Sequence, residues 1–466
     1  MLNEDTISSI STPLGRGAIG IVRLSGPLAL PIAKKIFKSH KGGANSLTVS
    51  HRVYYGKIFD PATKKTIDEA LVTLMKKPHS YTREDLVEIS CHGGMTAVSK
   101  ALDLTIKEGA RLALPGEFTK RAFLNGRIDL TQAEAIIDLI NAKTEKSLFN
   151  TVNQLGGSIS REIDQFRSLL IDISSKLELA IDFSEEEIPP ISLNKEKKTL
   201  MGLRQNLDTL IKTYNSGRLL RDGIKVVIAG HANAGKSSLF NTLLKKDRSI
   251  VTNHPGTTRD YIEEEIFIEG ANYKIFDTAG LRLSDHDIES AGISRSYKLI
   301  EQADIIILMF DSSKDLAEED TRIINAVKNQ AGECLYLLNK IDLKQKVFPD
   351  QFAKKADIPQ HKIHAISVME KIGIEELKNR IKEWVIHSQE ILDTEKTIIN
   401  NLRHKSLLAQ ALESIDAAIK ACQESKSEEF VAFDIRNALN ALDEITGQTC
   451  AEDVLEKIFN EFCIGK

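Results

Sequence analysis

Gly230-His231-Ala232-Asn233-Ala234-Gly235-Lys236-Ser237 follows an apolar run at residues 225–229 and precedes a helical pattern that starts at Leu239. A G-x-x-x-x-G-K-[ST] spacing between strand and helix makes a phosphate-binding loop. The glycines let backbone N–H groups, including those of Asn233, Ala234 and Ser238, close on phosphate at a helix N-terminus. Lys236 meets the β- and γ-oxygens, and the Ser237 hydroxyl is placed for Mg²⁺. Outward from this loop, short apolar runs at 273–276, 305–310, 335–338 and 363–366 alternate with helical stretches. That texture predicts a mainly parallel α/β sheet.

Two more motifs close strands of this sheet. Asp277-Thr278-Ala279-Gly280 offers a carboxylate to the metal's outer shell and a Gly280 N–H to a γ-phosphate. Asn339-Lys340-Ile341-Asp342 supplies a carboxylate that can accept both N1–H and the 2-amino group of guanine, a donor pair that adenine lacks. Between the first two motifs, residues 252–260 read Thr252-Asn253-His254-Pro255-Gly256-Thr257-Thr258-Arg259-Asp260, and a threonine here can complete a Mg²⁺ shell and sense the γ-phosphate. Leu281 follows Gly280 where many GTPases carry the glutamine that orients water, so another group must do that work. Asn233 can hold a monovalent cation against the phosphates, or serve as a helix cap. Glu289 can reach the water, or be a solvated charge.

At 466 residues the chain is too long for a single core, so it is expected to form several domains. A net charge of -4 gives no support for a nucleic-acid partner and excludes none, because binding needs only a local basic face. The five cysteines, Cys91, Cys334, Cys422, Cys450 and Cys463, form no C-x-x-C pair, which fits a reducing compartment. No apolar run approaches the ~20 residues of a membrane span, and Glu4 and Asp5 do not suit a signal or transit peptide. A cytoplasmic protein is expected.

Residues 1–118 mix β-patterned runs with Gly-Pro punctuation and read as an α+β domain. From Leu130, apolar residues recur at helical steps (Ile159, Ile163, Phe166, Leu170, Ile173, Leu177), and the pattern returns after about Val385. The resulting expectation is a multidomain α/β protein: an N-terminal α+β domain at 1–118, a helical domain in two parts at 119–221 and 386–466, and a P-loop GTPase domain inserted at 222–385.

Several further stretches carry a resemblance. The chain ends Phe462-Cys463-Ile464-Gly465-Lys466, and it contains Gly15-Arg16-Gly17, Ile21-Val22-Arg23, His92-Gly93-Gly94, Pro115-Gly116-Glu117-Phe118 and Arg121-Ala122-Phe123-Leu124-Asn125 in that order. From end to end it resembles the bacterial tRNA modification GTPases called MnmE or TrmE. The resemblance implies a constitutive homodimer through a folate-binding N-terminal domain, and a GTPase that potassium stimulates. It also implies a heterotetramer with the flavoprotein MnmG (GidA), which alone brings FAD and NADH. Together they would add an aminomethyl or carboxymethylaminomethyl group at carbon 5 of the tRNA wobble uridine, with methylene-tetrahydrofolate as carbon donor; the folate site would also take 5-formyl-tetrahydrofolate.

Carried over by position, the resemblance implies Arg23, Glu88, Arg127 and Lys466 beside folate; Asn233, Thr252, His254 and Thr257 around potassium; and Ser237 and Thr258 on Mg²⁺. It implies Glu289 as the water-orienting group and Cys463 in the modification step, although a buried helix-end thiol also suits Cys463. GTP contacts would include 252–258, 277–280, Asn339, Lys340, Asp342 and Ser367-Val368-Met369. Two departures stand out: His231-Ala232 replaces the more usual Arg-Pro, and Ser367-Val368 stands where a Ser-Ala pair usually supports guanine. A ribosome-assembly switch GTPase would leave the folate-matching residues and Cys463 idle, and a regulatory ATPase would not need Asp342. The motif order predicts turnover of GTP and none of ATP; comparable phosphate release from both nucleotides would contradict the guanine assignment.

Overall fold

The computed structural model describes residues 5–40, 47–182, 193–231, 233–246, 262–268, 270–277, 298–328, 332–389, 397–424 and 426–466. The chain divides into two compact units, one of residues 1–141, 151–205 and 406–466, the other of residues 142–150 and 206–405.

The first unit holds a seven-stranded sheet built from β1 (Ile7–Ile10), β2 (Ile19–Ser25), β3 (Phe37–Ser39), β4 (Arg52–Phe59), β5 (Thr66–Met75), β6 (Leu86–His92) and β7 (Arg111–Leu112), in the order β3-β4-β5-β6-β2-β1-β7. Every pair is antiparallel except β1 with β7. Side chains alternate across a strand, so Val22 and Leu24, Val72 and Leu74, and Val87 and Ile89 all reach one face. Helices α1 (Ala29–Ile36) and α2 (Met95–Lys107) cover that face with Ile32, Ile36, Val98, Ala101 and Leu104. The intervening residues point to the other face, where the β2–β6 register sets Arg23 opposite Glu88.

The same unit contains the helices α3 (Glu117–Leu124), α4 (Leu130–Asn141), α6 (Ser158–Asp182), α14 (Glu428–Thr446) and α15 (Glu452–Asn460). In α6 the residues Ile159, Ile163, Phe166, Leu170, Ile173 and Leu177 are all buried, the stripe that helical spacing predicts. The buried stripe of α14 runs through Val431, Ile435, Ala438, Leu442 and Ile445. The two helices pack together, and an Arg167–Asp443 ion pair joins them. Near the C-terminus Phe459 and Phe462 stack at 5.6 Å and enter a core with Ala122, Leu130 and Ala133. The segment after Phe462 then bridges Pro115 through Ile464.

The second unit is a six-stranded sheet in the order β13-β12-β11-β8-β10-β9. Its strands are β8 (Ile224–Gly230), β9 (Ile262–Ile268), β10 (Ala271–Asp277), β11 (Ile305–Asp311), β12 (Glu333–Asn339) and β13 (Ile363–Ala365). All neighbours run parallel except the edge pair β9–β10. Both faces of the central strands are buried, which is why their sequences are unbroken apolar runs. Val226, Ile228, Ile305, Ile307 and Met309 enter one core and Val227, Ala229, Ile306, Leu308 and Phe310 the other.

The helices of this unit include α8 (Tyr214–Asp222), α9 (Lys236–Lys246), α10 (Glu318–Lys328), α11 (Pro349–Ala356) and α12 (Ile374–Gln389). Segments entering and leaving the sheet region meet. The Ile399 N–H donates to Thr213 Oγ1 at 3.1 Å, and a Cβ on Gly217 would sit 2.2 Å from the Ile399 carbonyl oxygen.

Trp384, the single tryptophan, packs against the core that contains Ile307, so its emission reports this unit alone. Ile307 is fully buried. Ile307→Ala should therefore cost about 2–5 kcal/mol through lost burial and a cavity, lowering the urea midpoint followed by Trp384 fluorescence; an unchanged midpoint would contradict this packing.

Candidate functional site

The phosphate loop leaves the C-terminal end of β8, the edge where open α/β sheets bind ligands. Two of its glycines are required by geometry. Gly230 (φ +143°) and Gly235 (φ +105°) have left-handed backbones, and a Cβ would lie 2.3 Å from the Met309 carbonyl oxygen in the first case and 2.3 Å from Asn339 Nδ2 in the second. Lys236 opens α9 and is buried, its Nζ donating to the Gly230 and His231 carbonyls at 2.8 and 2.9 Å. The ammonium thus spans the loop that phosphate would enter. Ser237 and Ser238 are exposed on the first turn of α9. Asn233 is also exposed, with φ +65°. Because α9 begins at Lys236, Gly235 rather than Asn233 takes the capping position. His231 Nε2 lies 3.1 Å from Asp320 Oδ1 without the alignment of a hydrogen bond, so the contact is an ion pair when the imidazole is protonated.

The base-reading loop leaves β12 beside it. Asn339 is buried, and its Nδ2 donates to the Ala234 carbonyl at 2.7 Å while its Oδ1 accepts from the Val368 N–H at 3.1 Å. One amide therefore joins the phosphate loop, β12 and the loop after β13. Ser367 Oγ donates to Asp342 Oδ1 at 2.5 Å, which aims the carboxylate while leaving its other oxygen available. Val368 is buried and Met369 is 79% exposed, so the replacement for the usual Ser-Ala pair fills the wall with Val368 and leaves Met369 at the rim.

Asp277 is the last residue of β10, in register with Ile228 of β8. Thr252, Asn253, His254, Pro255, Gly256, Thr257, Thr258, Thr278, Ala279, Gly280 and Glu289 lie outside the described residues. Among the described side chains, the exposed Ser237 hydroxyl at the N-terminus of α9 is of the type that ligates a hard cation.

In the first unit the structure brings Arg23, Glu88, Arg127 and Lys466 into one neighbourhood. Arg23 Nε donates to Glu88 Oε1 at 2.9 Å, and its Nη1 reaches the Gly465 carbonyl at 3.4 Å. The Arg23 guanidinium lies 5.5 Å from the Tyr81 ring centre and 5.7 Å from that of Phe118, and Arg127 lies 4.7 Å from that of Tyr81. Burial and then the nearby Arg23 charge hold the Lys466 ammonium below the ordinary lysine range. Two guanidiniums at the Tyr81 ring, one of them also at Phe118 and paired with Glu88, with the Lys466 ammonium near Arg23, can meet a flat ring that bears carboxylates. Tyr81 lies in no motif of the sequence, and Phe118 belongs to the Pro115-Gly116-Glu117-Phe118 stretch without carrying a polar group that would mark it as a site residue. Cys463 is exposed, not the buried helix-end thiol that its terminal position also permitted, whereas Cys91 and Cys334 are buried and pushed up to about 11 by desolvation.

Residues 130–463 match the model of the MnmE helical domain, and residues 6–127 match that of the GTP-binding protein TrmE N-terminus. The chain is 44% identical to the tRNA modification GTPase MnmE of Alkaliphilus oremlandii over 100% of both chains. It is 43% identical to that of Acetivibrio thermocellus, again over 100% of both. The chain belongs to the tRNA modification GTPase MnmE family. Among solved structures, the G domain of the T. maritima FeoB iron transporter is 29% identical, covering 34% of this chain and 98% of that one at a TM-score of 0.28. Membership in the MnmE family agrees with the resemblance read from the sequence and with the fold class expected there.

Gly235→Ala, which drives a methyl into Asn339, should weaken guanine-nucleotide binding by about tenfold or more, the fold-change of ~1.4 kcal/mol. Gly202→Ala, with nothing within 4 Å of the new Cβ, should leave binding unchanged. Fluorescence titration with a labelled GDP measures both.

Proposed function

We propose that this chain, a GTPase of the tRNA-modifying family, couples GTP hydrolysis to the addition of an aminomethyl or carboxymethylaminomethyl group at carbon 5 of the wobble uridine. The observation that carries the reading is the convergence of Lys236, Asn339 and Asp342 at the C-terminal ends of parallel strands, in a chain that matches MnmE proteins over its full length. Asp342 accepts from guanine, Asn339 holds that loop against the phosphate loop, and Lys236 exchanges its two carbonyl partners for phosphate oxygens. Ser237 and Thr258 hold Mg²⁺. Asn233, with Thr252, His254 and Thr257, holds potassium, and Glu289 orients water in place of the glutamine absent at Leu281.

The domain roles follow the same reading. Residues 1–118 bind folate and dimerise, 119–221 and 386–466 form the helical domain, and 222–385 form the inserted G domain. Arg23, Arg127 and Lys466 face the carboxylates of a tetrahydrofolate, with Glu88 orienting Arg23. Methylene-tetrahydrofolate supplies the carbon when bound. A flavoprotein of the MnmG kind is the partner and brings FAD and NADH. Cys463 serves the modification step from its exposed position at the chain end. The work is cytoplasmic, where tRNA is available.

The test is mass spectrometry of wobble nucleosides from cells lacking the gene, complemented by wild type, Lys236→Ala or Cys463→Ser. Wild type should restore the modified uridine and both variants should fail. In vitro, Lys236→Ala should abolish GTP turnover while Cys463→Ser retains it. Sodium in place of potassium should slow turnover strongly, and equal rates in the two salts would remove Asn233 from its cation role. An unchanged nucleoside profile in the deleted strain would favour a ribosome-assembly switch.

A further inference from the structure

Asp311 lies outside every motif considered so far. It is the last residue of β11, in parallel register with Asn339, and the chain beyond it continues the ladder as the Ser312 N–H donates to the Asn339 carbonyl at 2.9 Å. Its side chain is only 10% exposed and three hydrogen bonds hold it in place: Oδ1 accepts from the Ser313 N–H at 3.1 Å and from Ser313 Oγ at 2.6 Å, and Oδ2 accepts from Lys340 Nζ at 2.6 Å. Burial opposes ionisation of this carboxyl, but the bonds from Lys340 and Ser313 outweigh it and leave it below the usual carboxylate range.

Lys340 is the other half of the argument. Its φ is +67°, a conformation that a lysine adopts only when its surroundings impose it. It belongs to the same loop as Asp342, two residues on, whose carboxylate has to remain an open acceptor for guanine. An unanchored ammonium in that loop would compete with the base for the Asp342 carboxylate, because a cation outbids a neutral N–H donor for the same oxygen. Ser367 cannot prevent this, since it occupies one oxygen of Asp342 and adds no charge.

We infer that Asp311 is a positioning residue for guanine selection: it draws the Lys340 ammonium away from Asp342 and fixes the left-handed turn of the base-reading loop. The inference rests on the guanine reading of Asp342 and adds to it the device that keeps that carboxylate free. Among the described residues Asp311 holds Lys340 and Ser313 and belongs to none of the phosphate-binding motifs, so its effect is expected on binding of the base and not on the hydrolytic step.

The experiment uses the full chain and measures GTP and ITP kinetics together with GDP affinity. Inosine lacks the 2-amino group, so ITP depends less on a free Asp342. Asp311→Asn should raise KM for GTP and Kd for GDP about tenfold, retain turnover at saturation, and reduce the GTP-over-ITP preference. In a Lys340→Met background, which keeps the stem and removes the charge, adding Asp311→Asn should cause no further loss. The inference is overturned by an unchanged KM, by equal losses for GTP and ITP, or by the same loss in the Lys340→Met background; the last would assign Asp311 to the Ser313 turn alone. A wild-type protein that fails to prefer GTP over ATP would instead remove the guanine reading itself.

Discussion

A single buried amide holds the nucleotide site together. Asn339 ends one strand of the parallel sheet, donates to the phosphate loop at Ala234 and accepts from the loop after β13 at Val368. Buried amides are costly unless both ends are satisfied, so the arrangement permits only one relative placement of the three loops. Gly235 follows as a requirement, because any side chain there would occupy the space of the Asn339 nitrogen. The sheet beneath makes this possible: β8, β11 and β12 are neighbours running in one direction, so their C-terminal ends, and the loops that leave them, fall along one edge.

The parts of this architecture that were legible in the sequence are those where one local pattern has one physical cause. Strands buried on both faces produced uninterrupted apolar runs, and β8, β11 and β12 were readable as strands for that reason. Strand β9 was not, because Glu263, Glu264 and Glu265 break the apolar run; it is the antiparallel edge of the sheet, where charge is tolerated and discourages further pairing. The phosphate loop and the base-reading loop were readable because short spacing carries their chemistry. What their residues do to one another was not, since Asn339 and Ala234 are 105 positions apart and meet only through the sheet order.

The site in the first unit shows the same limit from the other side. Arg23 and Glu88 are separated by 65 residues and become neighbours because β2 and β6 pair in one particular register. A shift of that register by a single residue would send Glu88 to the helix-covered face. The core alternation of Val22, Leu24, Val87 and Ile89 forbids it. The burial that stabilises the N-terminal domain therefore also aligns its polar site, and Tyr81, which carries no motif, joins that site through the ring faces it offers to Arg23 and Arg127.

The chain end is positioned by its backbone more than by apolar burial. Ile464 is 56% exposed yet bridges Pro115 through its backbone, and the Gly465 carbonyl accepts from Ser11 Oγ at 3.0 Å and from Arg23 at 3.4 Å. Gly465 has φ +96°, and a Cβ there would stand 2.2 Å from the Ile10 carbonyl oxygen, so no other residue could lie so close to β1. Phe462 anchors the segment just before it. Between an aromatic anchor and a glycine pressed against a strand, the thiol of Cys463 has no core to enter and stays at the surface, while Lys466 is half-buried near the Arg23 charge. Two like charges held close in partial burial repel each other, and an anion paired with both would offset that repulsion. The tail therefore sets a pair of cations beside the exposed thiol of Cys463, and that juxtaposition is what the proposed substrate role of the first unit rests on.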